Sequence, residues 1–392
     1  MSAPGHPRVL LLHNRYRFEG GEERSVELQR RALANAGVEH RLLERDSGRA
    51  GRIDAATALL RGGRAEEDVA RAVRELGADV AHAHNMQPLI GPRGLAAARS
   101  AGARVVLHLH NARLFCAIGV AARDGAPCFR CRGRNTLPGL VLNCRGSLPE
   151  AVAYSAGLAL HQPLALASAD RFVAPSRWAA GQLAKLGVPG DRLDVLTHYV
   201  PAEELAGGSR AHQGRYLLAA GRLAPEKGFE LAVEAAADAG VPLWIAGDGP
   251  SAAELRALVD RLGAPVQLLG QVRRAEMPAL LAGAAALVLS SRSHEFSPFS
   301  VLEAMGAGVP VVATRSGGVP ELVGEERCVP LGDATALAER LAELWSDPWR
   351  RREQGEQLLA RAFERHSEQR YLSDLLAIYE RVSASTRTTS AQ

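Results

Sequence analysis

The stretch RYLLAAGRLAPEKGFELAVEAAADAG, Arg215 to Gly240, decides the fold. It opens on a short apolar run of buried-strand type. A loop containing Gly221 and Gly228 follows, and then a helical pattern that stops at Gly240. Strand, short loop and helix in that order are the repeating piece of a parallel sheet covered by helices on both faces.

The piece recurs on either side. Downstream, PLWIAGDGPSAAELRALVDRLGA repeats it, VQLLGQV and AALVLSS are further strands leading into helical sequence, and VPVVAT is another. Upstream, RVLLLH, EHRLLER, DVAHAHN and RVVLHLHN read as strands separated by helical segments, and ADRFVAPSRWAAGQLAKLG and DRLDVLTHYV continue the series. Between the two series lies PAEELAGGSRAHQG, polar and Gly-containing, of linker type. The expectation is an α/β protein of two Rossmann-like domains facing across a cleft, with the site outside the carboxyl ends of the strands. The first domain spans residues 1–200, a linker 201–214 and the second domain 215–370. An amphipathic closing helix over 371–385 packs back on the first domain, and a polar tail over 386–392 is disordered.

Length and composition agree. The 392 residues suit two domains, each able to bury its own core. Charged residues at 23% and hydrophobic ones at 47% are those of an ordinary globular protein. A net charge of +4 gives no argument for a nucleic-acid partner. Lysine occurs only at Lys185 and Lys227 among 47 basic residues, so Lys227 stands where this composition, of GC-rich coding type, favours arginine. No uninterrupted apolar run of about 20 residues is present. The nearest, Ala151 to Ala169, reads as a buried helix pair broken at His161, Gln162 and Pro163. The first residues read as a strand rather than a secretory leader. A cytoplasmic protein is expected, with any membrane contact peripheral and at the inner face.

Chemistry concentrates in the second series. GRLAPEKG, Gly221 to Gly228, places Arg222 and Lys227 on a strand-to-helix loop, where two cations beside helix N-termini suit a diphosphate. AGDGP with Gly247, and LGQV with Gln271 and Val272, end neighbouring strands and can approach a ligand with their backbones. SSRSHEFSPFSVLEAMGAGVPVVATRSGGVPELVG, Ser290 to Gly324, then sets Glu295 in a loop and Glu303 on the following helix, with seven residues between them. A carboxylate takes paired hydroxyls of a sugar or ribose as a two-oxygen acceptor, and the first N–H groups of the helix, around Phe299, Ser300 and Val301, suit a phosphate.

In the first series, Gly20 and Gly21 form a glycine loop before a helix that Glu22 and Glu23 open, as ligand contacts or as plain dipole partners. His110 ends a strand; His108 is expected on its other side, and His84 is an acceptor-side candidate. Four cysteines, Cys116, Cys128, Cys131 and Cys144, spaced C-x11-C-x2-C-x12-C, favour a structural Zn²⁺ site over disulfides in a cytoplasmic chain, packed thiols being the other reading. Cys328 reads as a buried single thiol.

Taken together, Glu295…Glu303, the GRLAPEKG loop and EAMGAGVPVVATRSGGVPELV make the chain resemble a family 4 glycosyltransferase of the GT-B fold, over nearly its whole length. The resemblance implies a retaining transfer from a nucleoside diphosphate sugar to an acceptor hydroxyl of a glycan, a lipid-linked sugar or a small molecule. It implies that no cofactor is required for catalysis. It implies that Arg222 and Lys227 neutralise the donor diphosphate, Glu303 holds the ribose, Glu295 holds the transferred sugar and His110 contacts it near the reaction centre. Gly20 and Gly21 would lie near donor phosphate and acceptor, and Gly221, Gly247, Gln271, Val272, Phe299, Ser300 and Val301 complete the donor set. One departure stands out: the family often has E-G-F-G here, whereas Pro298 in EFSPFSVLE has no N–H to donate. Two other activities fit the architecture, a sugar-nucleotide 2-epimerase and a catalytically silent sugar-nucleotide-binding partner protein. A surface polysaccharide, a glycolipid or a natural product such as an aminocyclitol fits as acceptor.

Overall fold

The computed structural model describes residues 6–16 and 20–384. The tail over 386–392 and part of the N-terminal glycine loop lie outside these. The chain divides into two compact units. The first is residues 1–121, 129–197 and 371–392; the second is residues 122–128 and 198–370.

In the first unit, β1 (Val9–Arg15), β2 (His40–Asp46), β3 (Val80–Ala83) and β4 (Arg104–His108) are strands of one parallel sheet. A two-stranded hairpin, β5 (Ala122–Arg123) and β6 (Ala126–Pro127), groups with the second unit. The first sheet is completed by β7 (Arg171–Ala174) and β8 (Leu193–Val195), in the order β2-β1-β3-β4-β7-β8. Leu10, Leu11 and Leu12 of β1 are fully buried, as a central strand covered on both faces requires. Strand order reverses between β1 and β3, so the loops after these two strands diverge and open a crevice at their carboxyl ends.

The second unit holds β9 (Tyr216–Ala220), β10 (Leu243–Ala246), β11 (Val266–Gly270), β12 (Ala284–Leu289), β13 (Val311–Thr314) and β14 (Cys328–Val329), in the order β11-β10-β9-β12-β13-β14, all parallel. This is the doubly wound dinucleotide-fold order, and its reversal falls between β9 and β12. Apolar side chains from alternate strand positions feed two cores, one on each face: Leu217, Leu243 and Ile245 on one, Leu218, Leu287 and Val311 on the other.

One helical segment differs from expectation. Residues 151–168 do not form a helix pair; they belong to one helix, Leu148–Ser168, with Pro163 inside it. The three residues expected to break it are accommodated by neighbours. Pro163 offers no N–H to the carbonyl of Ala159, and Arg134 Nε donates to that carbonyl at 3.1 Å. Gln162 donates to the carbonyl of Leu114 at 3.0 Å, and His161 Nε2 lies 2.8 Å from the carbonyl of Leu60. The closing helix, Glu368–Ala384, belongs to the first unit from Tyr371 onward. There the Tyr379 hydroxyl accepts from Gln29 at 2.9 Å, the Tyr371 hydroxyl donates to Gln29 at 3.1 Å, and Arg381 pairs with Asp194 at 3.0 Å. No helix of the described residues is long and apolar enough to cross a membrane.

Candidate functional site

In the second unit two of the predicted charges, Lys227 and Glu295, meet at the reversal of strand order. The loops after β9 and β12 carry Lys227 and Glu295, and the Lys227 ammonium donates to Glu295 Oε1 at 2.7 Å. Ser291 donates to the same oxygen at 2.6 Å. The backbone around Glu295 is tied to the loop after β13: its N–H donates to Ser316 Oγ at 2.9 Å, and its carbonyl accepts from Gly318 at 2.8 Å. Gly317 makes that approach available, since a Cβ there would stand 2.2 Å from the Glu295 carbonyl oxygen. Burial alone would raise the Glu295 carboxyl. The Lys227 charge, with hydrogen bonds from Lys227 and Ser291, outweighs it and holds the group below the usual carboxylate range.

The other charges are also engaged. Arg222 pairs with Glu226, and Glu303 accepts from Arg274 at 3.0 Å. Gly221 and Gly247 lie side by side at the ends of β9 and β10. A Cβ on Gly247 would meet the Gly221 carbonyl oxygen at 1.9 Å, so only glycine fits. The Gly221 N–H is taken by Ala246 and the Gly247 N–H by Gly270. Gln271 and Val272 follow β11 at the same edge. Pro298 caps the helix Phe299–Gly306, where its carbonyl accepts from Val301 and Leu302. The Phe299 ring stacks on His198 at 4.4 Å. The Val301 side chain is fully buried, which leaves only its backbone for a ligand, while Ser300 is half-buried in the first turn. Sequence reasoning did not find Ser291, Ser316, Arg274 or Glu226, the residues that hold the predicted charges.

In the first unit, Gly20 caps the helix Gly21–Asn35, and the two acids that follow divide their work. Glu23 accepts from the N–H groups of Tyr16 at 3.0 Å and Gly20 at 2.9 Å, which fixes the loop. Glu22 turns the other way, accepting from the Tyr16 hydroxyl at 3.0 Å and from the Asn111 side chain. Burial pushes the Glu22 carboxyl up to about 7, against the opposing Arg113 charge and Tyr16 hydrogen bond.

The histidines need a correction. His108 and His110 do not face opposite sides. Residues two apart share a face of a strand, and their rings stack with centroids 4.0 Å apart. His84 joins them, its Nδ1 lying 2.9 Å from His110 Nε2. Beneath, burial holds His82 down at about 3, so it is neutral, and its Nδ1 lies 2.9 Å from the Tyr379 hydroxyl. His82, His84 and His108 bring possible metal-ligand atoms within 4.8 Å of one another. Their rings lie within 14° to 42° of parallel, an arrangement of packed stacking rather than of lone pairs converging on one ion.

The cysteines expected to bind zinc are half-buried and form no disulfide. Cys116, Cys131 and Cys144 lie in the first unit, and Cys128 groups with the second. The long spacers fold into elements of their own, the β5–β6 hairpin and the helix Leu137–Val141. Cys328 is buried, with its thiol pushed up to about 12, chiefly by burial.

Residues 214–347 match the family described as "Glycosyl transferases group 1", and residues 20–197 match "Glycosyl transferase 4-like domain". WcaL of Escherichia coli, named for colanic acid biosynthesis, is 33% identical over 184 residues, 42% of this chain and 44% of WcaL. A GDP-mannose-dependent alpha-mannosyltransferase of Mycolicibacterium smegmatis is 36% identical over 164 residues, 40% of this chain and 42% of the enzyme. The chain thus spans less than half the length of the curated relatives it matches. HepE of Anabaena, solved with UDP and glucose, superposes with a TM-score of 0.68 at 18% identity, covering 98% of this chain and 100% of HepE. That likeness gives the fold as GT-B. With the two family matches running from residue 20 to residue 197 and from 214 to 347, the chain belongs to the group 1, or family 4, glycosyl transferases.

Proposed function

We propose that this chain transfers a glycosyl group from a nucleoside diphosphate sugar to an acceptor hydroxyl, with retention, in the assembly of a surface polysaccharide or glycolipid. The observation that carries the reading is the Lys227–Glu295 pair at the strand-order reversal of the second sheet, with Arg222 on the same loop. An ammonium has three donors. Glu295 takes one and fixes the group, and a donor diphosphate lying beside it takes the others. As the bond to the sugar breaks, negative charge grows on the leaving diphosphate. Lys227 and Arg222 stabilise it without a metal ion, provided Arg222 leaves Glu226 for the phosphate. Glu303 accepts from the ribose hydroxyls and Glu295 from the sugar. The acceptor attacks from the face the diphosphate leaves, and the departing oxygen takes its proton, so no enzyme nucleophile is needed.

The base of the donor divides the relatives: HepE was solved with UDP, and the mycobacterial enzyme is named for GDP-mannose. Thermal unfolding with UDP, GDP, UDP-glucose and GDP-mannose separates them, since a ligand at about 100 times its Kd adds about 2.7 kcal/mol. With the donor so found, Lys227→Ala and Glu303→Ala are expected to lose at least about 100-fold in turnover while keeping the circular dichroism of the parent. Parental rates in both variants would overturn the assignment.

A further inference from the structure

The first unit contains an open recess at the carboxyl ends of β3 and β4, lined among others by Tyr16, Glu22, His84, His110, Asn111 and Arg113. Glu22 is 8% exposed, and its two oxygens differ. One is held by the Tyr16 hydroxyl and the Asn111 amide. The other, Oε2, is buried and accepts no hydrogen bond among the described residues. Buried polar atoms are almost always satisfied. An oxygen that no donor of the described residues reaches, on a side chain that lines the recess and is fixed by Tyr16 and Asn111, is placed to accept from a ligand hydroxyl.

We propose that Glu22 Oε2 accepts a hydrogen bond from a hydroxyl of the glycosyl acceptor seated in this recess, with Tyr16 and Asn111 positioning the carboxylate. The proposal rests on the glycosyltransferase reading above and gives its acceptor a named contact. The group recognised is a neutral hydroxyl rather than an ammonium. Arg113, whose guanidinium lies over the Tyr16 ring at 4.7 Å, already supplies positive charge to Glu22, so a second cation would meet a compensated site. His13, Glu23, Tyr16 and Arg113 are the titratable and charged groups that act on Glu22. His84, His108 and His110 line the same recess. Only the ionised carboxylate accepts at Oε2 with full strength. With the group held near neutrality by burial, acceptor binding strengthens as pH rises through about 7.

The test uses the full chain with methyl α-D-glucopyranoside and methyl α-D-mannopyranoside as hydroxyl probes, read by saturation-transfer NMR in the presence of UDP or GDP. Nucleotide affinity is measured alongside by calorimetry. The parent is expected to bind a glycoside at about pH 8 and several-fold more weakly at about pH 6. Glu22→Gln is expected to lose that binding at both values and to keep the parental nucleotide affinity. Should Glu22→Gln fail to fold, Tyr16→Phe replaces it, with several-fold weaker glycoside binding and unchanged nucleotide affinity expected. Glycoside binding that survives in Glu22→Gln, or that is the same at both pH values, or that is absent in the parent, overturns the proposal. A parent that binds neither UDP nor GDP overturns instead the transferase reading on which it rests.

Discussion

At the scale of single residues, Glu22 carries a thermodynamic signature separate from its role in binding. Its carboxyl moves from an ordinary 4.5 to about 7. Between these values the unfolded chain has released its proton and the folded chain still holds it. Stability therefore falls as pH rises across that window, and the loss is complete above about 7. The shift corresponds to roughly 3 kcal/mol. Glu22→Gln, neutral and of the same shape, should be more stable than the parent by up to that amount at about pH 8, and the two should converge toward about pH 4. Denaturant midpoints at the two values check this; an equal gain at both would show that charge is not the cause. Stability given up at a polar, buried position is expected of a functional residue rather than a structural one. This part of the site was hidden in the sequence. Arg222, Lys227, Glu295 and Glu303 stand in short motifs whose spacing is visible. The Asn111 amide that holds Glu22 lies 89 residues away, and Arg274, which holds Glu303, lies 29 away. Partners brought together only by sheet order leave no local pattern.

At the scale of elements, most strands of the two parallel sheets were legible as short runs between helical segments, whereas the two-residue strands β5, β6 and β14 offer no run long enough to read. The helix Leu148–Ser168 was misread because a proline and two polar residues in mid-run ordinarily end a helix. Here each finds compensation outside its own turn. The Arg134–Ala159 bond makes this measurable. Arg134→Ala should destabilise by about 0.5–1 kcal/mol. Pro163→Ala in that background restores the missing donor and should recover most of the loss, so the two changes are expected to be non-additive in a double-mutant cycle. Additive effects would show that Arg134 does not serve that carbonyl. For the cysteine loop, metal analysis is expected to return about one equivalent of zinc per chain, with thermal unfolding lowered by chelation. Less than about half an equivalent, with unfolding unchanged by chelation, would reject the site.

At the scale of the whole molecule, the two parallel sheets place their chemistry by the same rule. In each, the strand ends at the reversal of strand order carry the polar groups: Asn14 near the end of β1 and Asn85 after β3, Lys227 and Glu295 after β9 and β12. The closing helix Glu368–Ala384 buries Tyr371, Leu375, Ile378, Tyr379 and Val382. At about 2 kcal/mol each, these amount to on the order of 10 kcal/mol, as much as the net stability of a whole domain. A chain ended after Arg370 should lose the cooperative unfolding of the first unit and keep that of the second, as read by hydrogen exchange along the backbone. Protection that persists over β1 and β3 would refute this.

Gln29 meets its two tyrosine partners 342 and 350 residues later in the chain. During synthesis, β1 and its neighbours emerge early but cannot close their core until the ribosome has passed the last helix. The second unit, nearly continuous in sequence, has all its parts sooner. The half of the protein made first is thus the half finished last, and a ribosome that stalls within the closing helix leaves that half exposed to proteases and chaperones.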